Sequence, residues 1–343
     1  PLSLIEKYGS DSLRFTLTAM AAQGRDVKLS ESRVEGYRNF GTKIWNASRF
    51  CEINKINEIT KFDPEIVISP INKWIIREFI SMRESLDLSL QEYRFNDAAN
   101  YIYHFTWGTF CDWYLELIKP HLNNENDENI SEIRSTCSYI LDSILVSLHP
   151  FMPFITEEIW QNIKKRENPI IVESWERELN NISKLSEADE IITLINVISN
   201  IRSIKAELNI KGKELLFLEV KEGDKILSIK NLDFYLSNLA KITIKKVSKL
   251  SEKAAVFNID NSELALIIPD NIDLTSEIDR VIKEEEKIKK EILNLSKRLE
   301  NKAFIEKAPK DVVEENVKKL DELNLENESI KSSKELIKKL INK

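Results

Sequence analysis

The chain has 343 residues, of which 42% are hydrophobic and 31% are charged, so it can build two or three folded domains with sizeable cores. Its formal net charge of −7 excludes a basic footprint over the whole surface, and any contact with nucleic acid has to come from local basic faces. The seven glycines are too few for a glycine-rich nucleotide-binding fold, and they favour long helices.

The three cysteines lie far apart in the sequence and form no CxxC pair, so they predict neither a metal site nor a disulfide framework. Three such thiols fit a reducing compartment, and we expect a cytoplasmic location. No apolar run reaches the length of a membrane span, so we expect no membrane contact. Pro1 to Ser3 resemble neither a signal peptide nor a natural start, and we expect a longer parent chain.

The first segment of the chain, residues 1–32, predicts short helices followed by a loop. Gly9 interrupts the first helical turn, and Ser10 or Asp11 is expected to cap the helix that follows. Residues 23–29 are then expected to form a loop with one short extended piece.

Residues 33–54 predict one long amphipathic helix. Its apolar positions recur with the helical spacing of three and four: Val34, Tyr37, Gly41, Ile44, Ala47 or Ser48, and Cys51. The other face carries polar and basic side chains with an aromatic ring at the far end: Arg33, Arg38, Lys43, Asn46, Arg49 and Phe50. Such a face fits a phosphate backbone and unstacked bases. The alternatives are a solvated charged face and, for Phe50, a place in the core.

The following helices are predicted from their caps and prolines. Ser69 and Pro70 begin one helix, and an aromatic-rich helix is expected from Asn96 to about Ile118, with Pro120 ending it. Asn129 to Glu132 reads as a capping box for the next helix. The prolines within residues 148–160 then predict a sharp turn into a further helix, so this region is a helical bundle.

The hydrophobic period changes after a long apolar helix over residues 187–207. Four strands are expected at 215–220, 242–247, 254–259 and 264–268, and a helix at 232–240 is expected between the first two strands. These elements predict a small α+β module that ends at Pro269.

The end of the chain predicts an antiparallel coiled-coil hairpin. Apolar residues repeat with alternating spacings of three and four from Leu274 to Leu299, and Glu285 is the polar residue in that seam. Residues 303–308 interrupt the pattern, which continues at lower regularity towards Ile341.

Several of these phrases resemble class I aminoacyl-tRNA synthetases, above all the valyl branch of that class. Residues 33–54 resemble the first helix of the anticodon-binding bundle, and further matches lie at 96–119, 148–160, 198–210 and 300–320. Bacterial isoleucyl enzymes usually end in a cysteine zinc module, which this sequence lacks, and leucyl enzymes lack the terminal coiled-coil hairpin, which this sequence predicts. Both differences favour the valyl branch.

This resemblance implies a mainly α fold with four segments. They are a connector following the catalytic core at 1–32, an anticodon-binding helical bundle at 33–175, a small α+β module with a long leading helix at 176–272, and a coiled-coil tRNA-binding arm at 273–343. The resemblance also implies that Arg33, Arg38, Lys43, Asn46, Arg49 and Phe50 bind the anticodon.

Enzymes of the valyl branch join valine to its tRNA through an adenylate, using ATP and magnesium. The chain contains no signature of the HIGH or KMSKS type and no nucleophile constellation around its three histidines, so we expect no catalytic residue, metal or cofactor in it. We expect a monomer that binds a valine-accepting tRNA. Two alternatives remain: a fragment of an isoleucyl-type synthetase, and a non-enzymatic helical scaffold that dimerises through its coiled coil.

Overall fold

The computed structural model describes residues 1–21, 29–56, 62–175, 188–210, 214–252, 254–269, 272–301 and 310–341. The chain divides into two compact units, Pro1–Ile192 and Thr193–Lys343. Most of the described residues are helical, and the four strands belong to the second unit. No helix within the described ranges is long and apolar enough to cross a membrane.

The first unit is a bundle of helices. In chain order they are α1 (Leu2–Tyr8), α2 (Ser10–Met20), α3 (Glu31–Ile53), α4 (Pro70–Gln91), α5 (Phe95–His104), α6 (Leu115–Leu122), α7 (Ile130–Leu148) and α8 (Pro153–Ile163). A π-helical segment, Phe105–Tyr114, joins α5 to α6, and single 3-10 turns lie at Pro64–Ile66 and Ile170–Val172.

Helix α3 lies at the centre of this bundle, in contact with α1, α2, α7, α8 and the π-helical segment. Its buried side chains follow the predicted stripe, and Phe40 adds a ring that the pattern had not singled out. That ring packs 4.8 Å from the ring of Tyr103 and 5.5 Å from the ring of Phe15, measured between centroids. The predicted helix and its core face are therefore confirmed.

Pro120 does not end its helix as predicted. It lies inside α6, which continues to Leu122. A proline within a helix removes one backbone donor and crowds the carbonyl four residues earlier. Because Pro120 is close to the end of α6, few backbone hydrogen bonds remain beyond it to be disrupted.

Two carboxylates that were expected to cap their own helices instead serve other ones. Asp11 accepts hydrogen bonds from the amide nitrogens of Ile155 at 2.7 Å and Phe154 at 3.3 Å, so it caps α8. The N-cap position of α2 is Gly9, so this helix has no side-chain cap of its own. Burial raises the pKa of the Asp11 carboxyl, although the two amides oppose that shift.

Glu132 likewise does not complete a capping box for α7, whose first residues have no side-chain cap. Its carboxylate accepts hydrogen bonds from the amides of Ile68 and Ser69, at 3.0 and 2.9 Å, and from the side chain of Asn72 at 2.8 Å. It therefore holds the start of α4. Tyr114 extends this buried network by donating its hydroxyl proton to Oδ1 of Asn72 at 2.8 Å.

The second unit contains a sheet and two long helices. Its elements are β1 (Leu216–Lys221), α10 (Leu232–Ala240), β2 (Ile242–Val247), β3 (Ala254–Ile259), β4 (Ser262–Ile267), α11 (Leu274–Glu300) and α12 (Lys310–Ile341), and α9 (Ala188–Glu207) precedes them. The strand order is β2-β1-β4-β3. β1 and β2 are parallel and joined through α10, whereas β4 pairs antiparallel with both β1 and β3.

Helices α11 and α12 pack against one another, and α12 also contacts β3. The seam buries Val281, Glu285 and Ile288 of α11, together with Leu323 and Ile337 of α12. The pattern expected Ile341 in this seam, but Ile341 is exposed and Leu340 is buried in its place. The predicted interruption at 303–308 lies outside the described residues.

Candidate nucleic-acid interface

The six residues predicted to meet RNA all lie on α3, but they do not form one cluster. Arg33, Arg38, Asn46 and Arg49 are exposed, whereas Lys43 and Phe50 are half-buried. An α-helix rises 1.5 Å per residue, so Arg33 and Arg49 lie about 24 Å apart along its axis. The surface is therefore long enough to follow several nucleotides rather than one.

Lys43 is engaged across the bundle. Its ammonium donates a hydrogen bond to Oδ1 of Asp112 at 2.6 Å and lies 5.3 Å from the ring centroid of Trp107. The hydrogen bond to Asp112 raises the pKa of Lys43, and burial opposes that shift only in part. Lys43 consequently keeps its positive charge, but a neighbouring carboxylate shares it.

Phe50 presents its ring to the helix α6. The ammonium of Lys119 lies 5.7 Å from the centroid of the ring, within the range of a cation–π contact. Lys119 is also hydrogen-bonded to the carboxylate of Glu116. The ring is neither fully projected into solvent nor enclosed in the core, so it combines partial packing with an accessible edge.

The arginines of α3 differ in what holds them. Arg49 donates to Glu52 at 2.8 Å, and both side chains are about half exposed, so this ion pair contributes little stability and can be exchanged for another anion. Arg38 makes no ion pair with any residue that the structure describes. Its guanidinium lines a cleft on the other side of α3 from Lys43.

Sequence reasoning did not identify the side chains that complete this surface. Trp107, Asp112 and Lys119 come from the π-helical segment and α6, and they meet α3 only through the packing of the bundle. For Trp107 and Asp112 the local signal was the density of aromatic residues over 101–114, within the aromatic-rich helix that the sequence predicts. The π-helical segment instead leaves Asp112 exposed beside α3.

The remaining reactive side chains have structural roles. His121 is buried and contacts Asp127 at 2.7 Å, and His149 contacts Thr156 at 2.8 Å. The thiols of Cys51 and Cys137, distant in sequence, lie 3.8 Å apart in the core as free cysteines. Over the described ranges, no three metal-binding side chains are grouped as a metal ion would require.

Two family models match the chain. The one described as "Anticodon-binding domain of tRNA ligase" matches residues 72–221, which begin after α3. The one described as "Valyl tRNA synthetase tRNA binding arm" matches residues 273–338, which cover α11 and most of α12. The helical bundle and these two matches place the chain in the class of tRNA ligases that contain an anticodon-binding domain.

The relatives narrow the class further. The valine–tRNA ligases of Bartonella henselae, Zymomonas mobilis and Rhizorhabdus wittichii are 38%, 39% and 40% identical to this chain. The alignments cover 92%, 98% and 92% of the chain. They cover only 35%, 39% and 35% of the relatives, so the chain spans well under half of their length. The chain belongs to the valyl-tRNA synthetase family, which confirms the resemblance found in its sequence.

A solved structure of an Agrobacterium radiobacter leucyl enzyme in a ternary complex with tRNA and LeuAMS is 14% identical over 65% of this chain and 24% of that one. Its TM-score of 0.42 is too low to define a common fold.

Proposed function

We propose that this chain is the tRNA-binding part of a valine–tRNA ligase and that it recognises the anticodon and the body of a valine-accepting tRNA. The observation that carries the proposal is the pair of family matches, one to an anticodon-binding domain and one to a tRNA-binding arm, within a single chain. The exposed polar face of α3 supports it, since this face supplies both cations and a partly accessible aromatic ring.

Within this proposal the anticodon meets Arg33, Arg38, Lys43, Asn46, Arg49 and Phe50. The arginines neutralise phosphates or donate to base edges, because their guanidinium groups are exposed and suited to both. Phe50 stacks on one unpaired base, and the side chain of Lys119 lies beside that stack. Lys43 is available to RNA only if it leaves Asp112, so we assign it the smallest contribution.

The chain serves this function through four segments. We assign the connector to 1–32, the anticodon-binding bundle to 33–175, the α+β module to 176–272 and the arm to 273–343. The arm is an antiparallel coiled-coil hairpin of α11 and α12 that touches the outer corner of the tRNA. The packing of α11 on α12 supports this assignment.

The whole protein would attach valine to its tRNA through an adenylate, with ATP and magnesium bound by its catalytic domain. The relatives bear the name valine–tRNA ligase, which supports the attachment of valine to tRNA. We assign no catalytic residue and no cofactor site to the present chain. We also propose that the protein is a cytoplasmic monomer, and the three free, buried cysteines are consistent with a reducing compartment.

A gel shift with a transcript of a valine tRNA tests the proposal, with an isoleucine tRNA transcript as the matched control. We expect tighter binding of the valine transcript and a binding constant that falls as salt rises. The chain alone should support no valine-dependent exchange of pyrophosphate into ATP. A chain that dimerises and binds neither transcript would instead support the scaffold alternative.

A further inference from the structure

A cleft on the first unit lies on the side of α3 that faces away from Lys43. It has a volume of about 610 Å³ and is bounded by the start of α2, one stripe of α3 and the start of α8. Helix α3 contributes Arg38, Gly41, Thr42 and Trp45, whose spacing of three, one and three places them on one side of the helix. We call it the α3–α8 cleft.

Close approach of two helices forms the floor of this cleft. A side-chain carbon built on Gly41 would lie 3.4 Å from Cδ1 of Ile155 and 3.6 Å from Cε of Met152, so the backbone of α3 lies close to these two side chains. Two large aromatic side chains stand nearby without being covered: Trp45 is 38% exposed and Phe154 is 66% exposed. Exposed rings that share one concave site are typical of a surface that binds a ligand.

The polar groups of the cleft are of two kinds. The Asp11 carboxylate is engaged within the protein, because it accepts both amide hydrogen bonds at the start of α8. Arg38 and Glu158 are exposed, and Arg38 makes no ion pair within the described part of the chain. Glu158 accepts one hydrogen bond, from Asn162 at 2.8 Å, and retains further acceptor capacity. A ligand would therefore meet a guanidinium, a carboxylate and aromatic faces together.

We propose that the α3–α8 cleft binds one unstacked nucleotide of the tRNA, at a position outside the anticodon, and that Arg38, which lines this cleft, serves that nucleotide instead of the anticodon. This inference rests on the proposed function. The base packs on Trp45 and Phe154, its phosphate meets Arg38, and an exocyclic amino group donates to Glu158. A base with such an amino group is adenine, cytosine or guanine, and uracil is excluded.

Two features of the chain favour a nucleotide as the occupant. The guanidinium of Arg38 is suited to a phosphate, and the acceptor of Glu158 is suited to an amino group, so the charges complement both ends of a nucleotide. The cleft also adjoins the proposed RNA surface, because Asn46 follows Trp45 directly and Arg49 lies one helical turn beyond it. One RNA can therefore reach both sites.

The test compares four forms of the chain for binding of a valine tRNA transcript: wild type, Phe154→Ala, Trp45→Ala and the matched control Tyr101→Ala, whose ring is exposed on α5. Phe154 is largely exposed, so its removal should leave the unfolding transition unchanged. We expect Phe154→Ala and Trp45→Ala each to weaken binding by about five-fold to a hundred-fold, without altering the salt dependence. Arg38→Ala should lower the salt slope by about one.

Chemical probing of the bound tRNA identifies the nucleotide. Dimethyl sulfate modifies adenine and cytosine, and kethoxal modifies guanine. We expect one base outside the anticodon to be protected by the wild type and by Tyr101→Ala, and to become reactive with Phe154→Ala. Phe50→Ala should leave that protection in place and expose an anticodon base instead.

The outcomes separate the two proposals. If Phe154→Ala and Trp45→Ala bind as tightly as the wild type while Phe50→Ala is weakened, the cleft is not a nucleotide site and the proposed function stands. If both cleft variants are weakened but no base outside the anticodon changes its reactivity, the rings act only through the protein and the inference is wrong. If the wild type binds no tRNA, both proposals are wrong.

Discussion

Substitutions of Glu285 predict how one buried carboxylate affects the stability of the α11–α12 seam and how that effect depends on pH. Glu285 is only 5% exposed in the seam between α11 and α12, where the apolar Val281 and Ile288 flank it on α11. The carboxylate accepts a hydrogen bond from Lys334 of α12 at 2.5 Å and is also paired with Lys289 of α11. These hydrogen bonds, first from Lys289 and then from Lys334, lower the pKa of Glu285 to about 2.

The sign of the pH effect follows from that shift. A carboxyl group whose pKa is lower in the folded than in the unfolded state contributes stability above its ordinary pKa, and the contribution disappears as protons bind. For Glu285 the stabilisation should be complete above about pH 4.5 and lost as the pH falls towards 2. Other carboxylates titrate in the same range, so the informative quantity is the difference between wild type and variant.

We expect Glu285→Gln to destabilise the second unit by about 1–3 kcal/mol at pH 7, because it removes the charge from two charge-assisted hydrogen bonds. The hydrogen bond from Lys289 lowers the pKa of Glu285 more than the one from Lys334 does, but Lys289 is 53% exposed and Lys334 only 23%. Solvent therefore screens the Lys289 pair more strongly, and we assign the larger part of the stability to Lys334. In a unit of this size, each kcal/mol corresponds to about 2–4 °C in the melting temperature. At pH 2.5 the difference from wild type should be much smaller.

Glu285→Leu is the matched variant. It restores an apolar residue to the seam, and Lys334 can extend its ammonium to water. We therefore expect Glu285→Leu to be at least as stable as the wild type at pH 7, although it lacks the same two ion pairs. A coiled-coil seam should accept leucine at this position.

The position of the tryptophans makes the assay specific to one unit. All six tryptophans lie before residue 193, so tryptophan fluorescence reports the first unit and circular dichroism reports both. Urea unfolding should show the Glu285 variants shifting the dichroism transition without moving the fluorescence transition. The reasoning fails if Glu285→Leu is less stable than Glu285→Gln, or if Glu285→Gln loses as much stability at pH 2.5 as at pH 7.

Three further predictions concern the first unit and the arm. Phe50→Ala should weaken binding of the valine tRNA by about ten-fold or more and leave the salt dependence of binding unchanged. A large fall in the melting temperature of Phe50→Ala with unchanged tRNA affinity would instead make Phe50 a packing residue. Arg49→Ala should reduce the salt dependence of binding. Glu132→Ala should cost the first unit about 1–3 kcal/mol in tryptophan-detected unfolding, because it leaves the start of α4 and the buried Asn72 without their acceptor; a loss below about 0.5 kcal/mol would contradict that role. Removal of residues 272–343 should weaken tRNA binding and leave the fluorescence transition of the first unit in place, and a first unit that no longer folds would show that the two units are one cooperative structure.

The sequence by itself determined the elements whose cause is local. The three-and-four spacing from Val34 to Cys51 set the core face of α3, and the change of hydrophobic period after residue 207 predicted strands at 242–247 and 254–259, where they are found. Periodicity is a property of neighbouring residues, so it survives without any knowledge of the partner surface. The sequence likewise identified Glu285 as the polar residue of an apolar heptad pattern, because that pattern depends only on spacing along the chain.

Only the tertiary structure decided which groups meet across the bundle and the sheet. Asp11 and Glu132 were both recognised as capping residues, but each serves a helix start that is distant in sequence. A carboxylate caps whichever free amides lie within about 3 Å, and packing, rather than spacing, brings those amides close. For the same reason the strand order β2-β1-β4-β3, the pairing of Lys43 with Asp112 and the cleft beside Gly41 arise from contacts between segments that no local pattern relates.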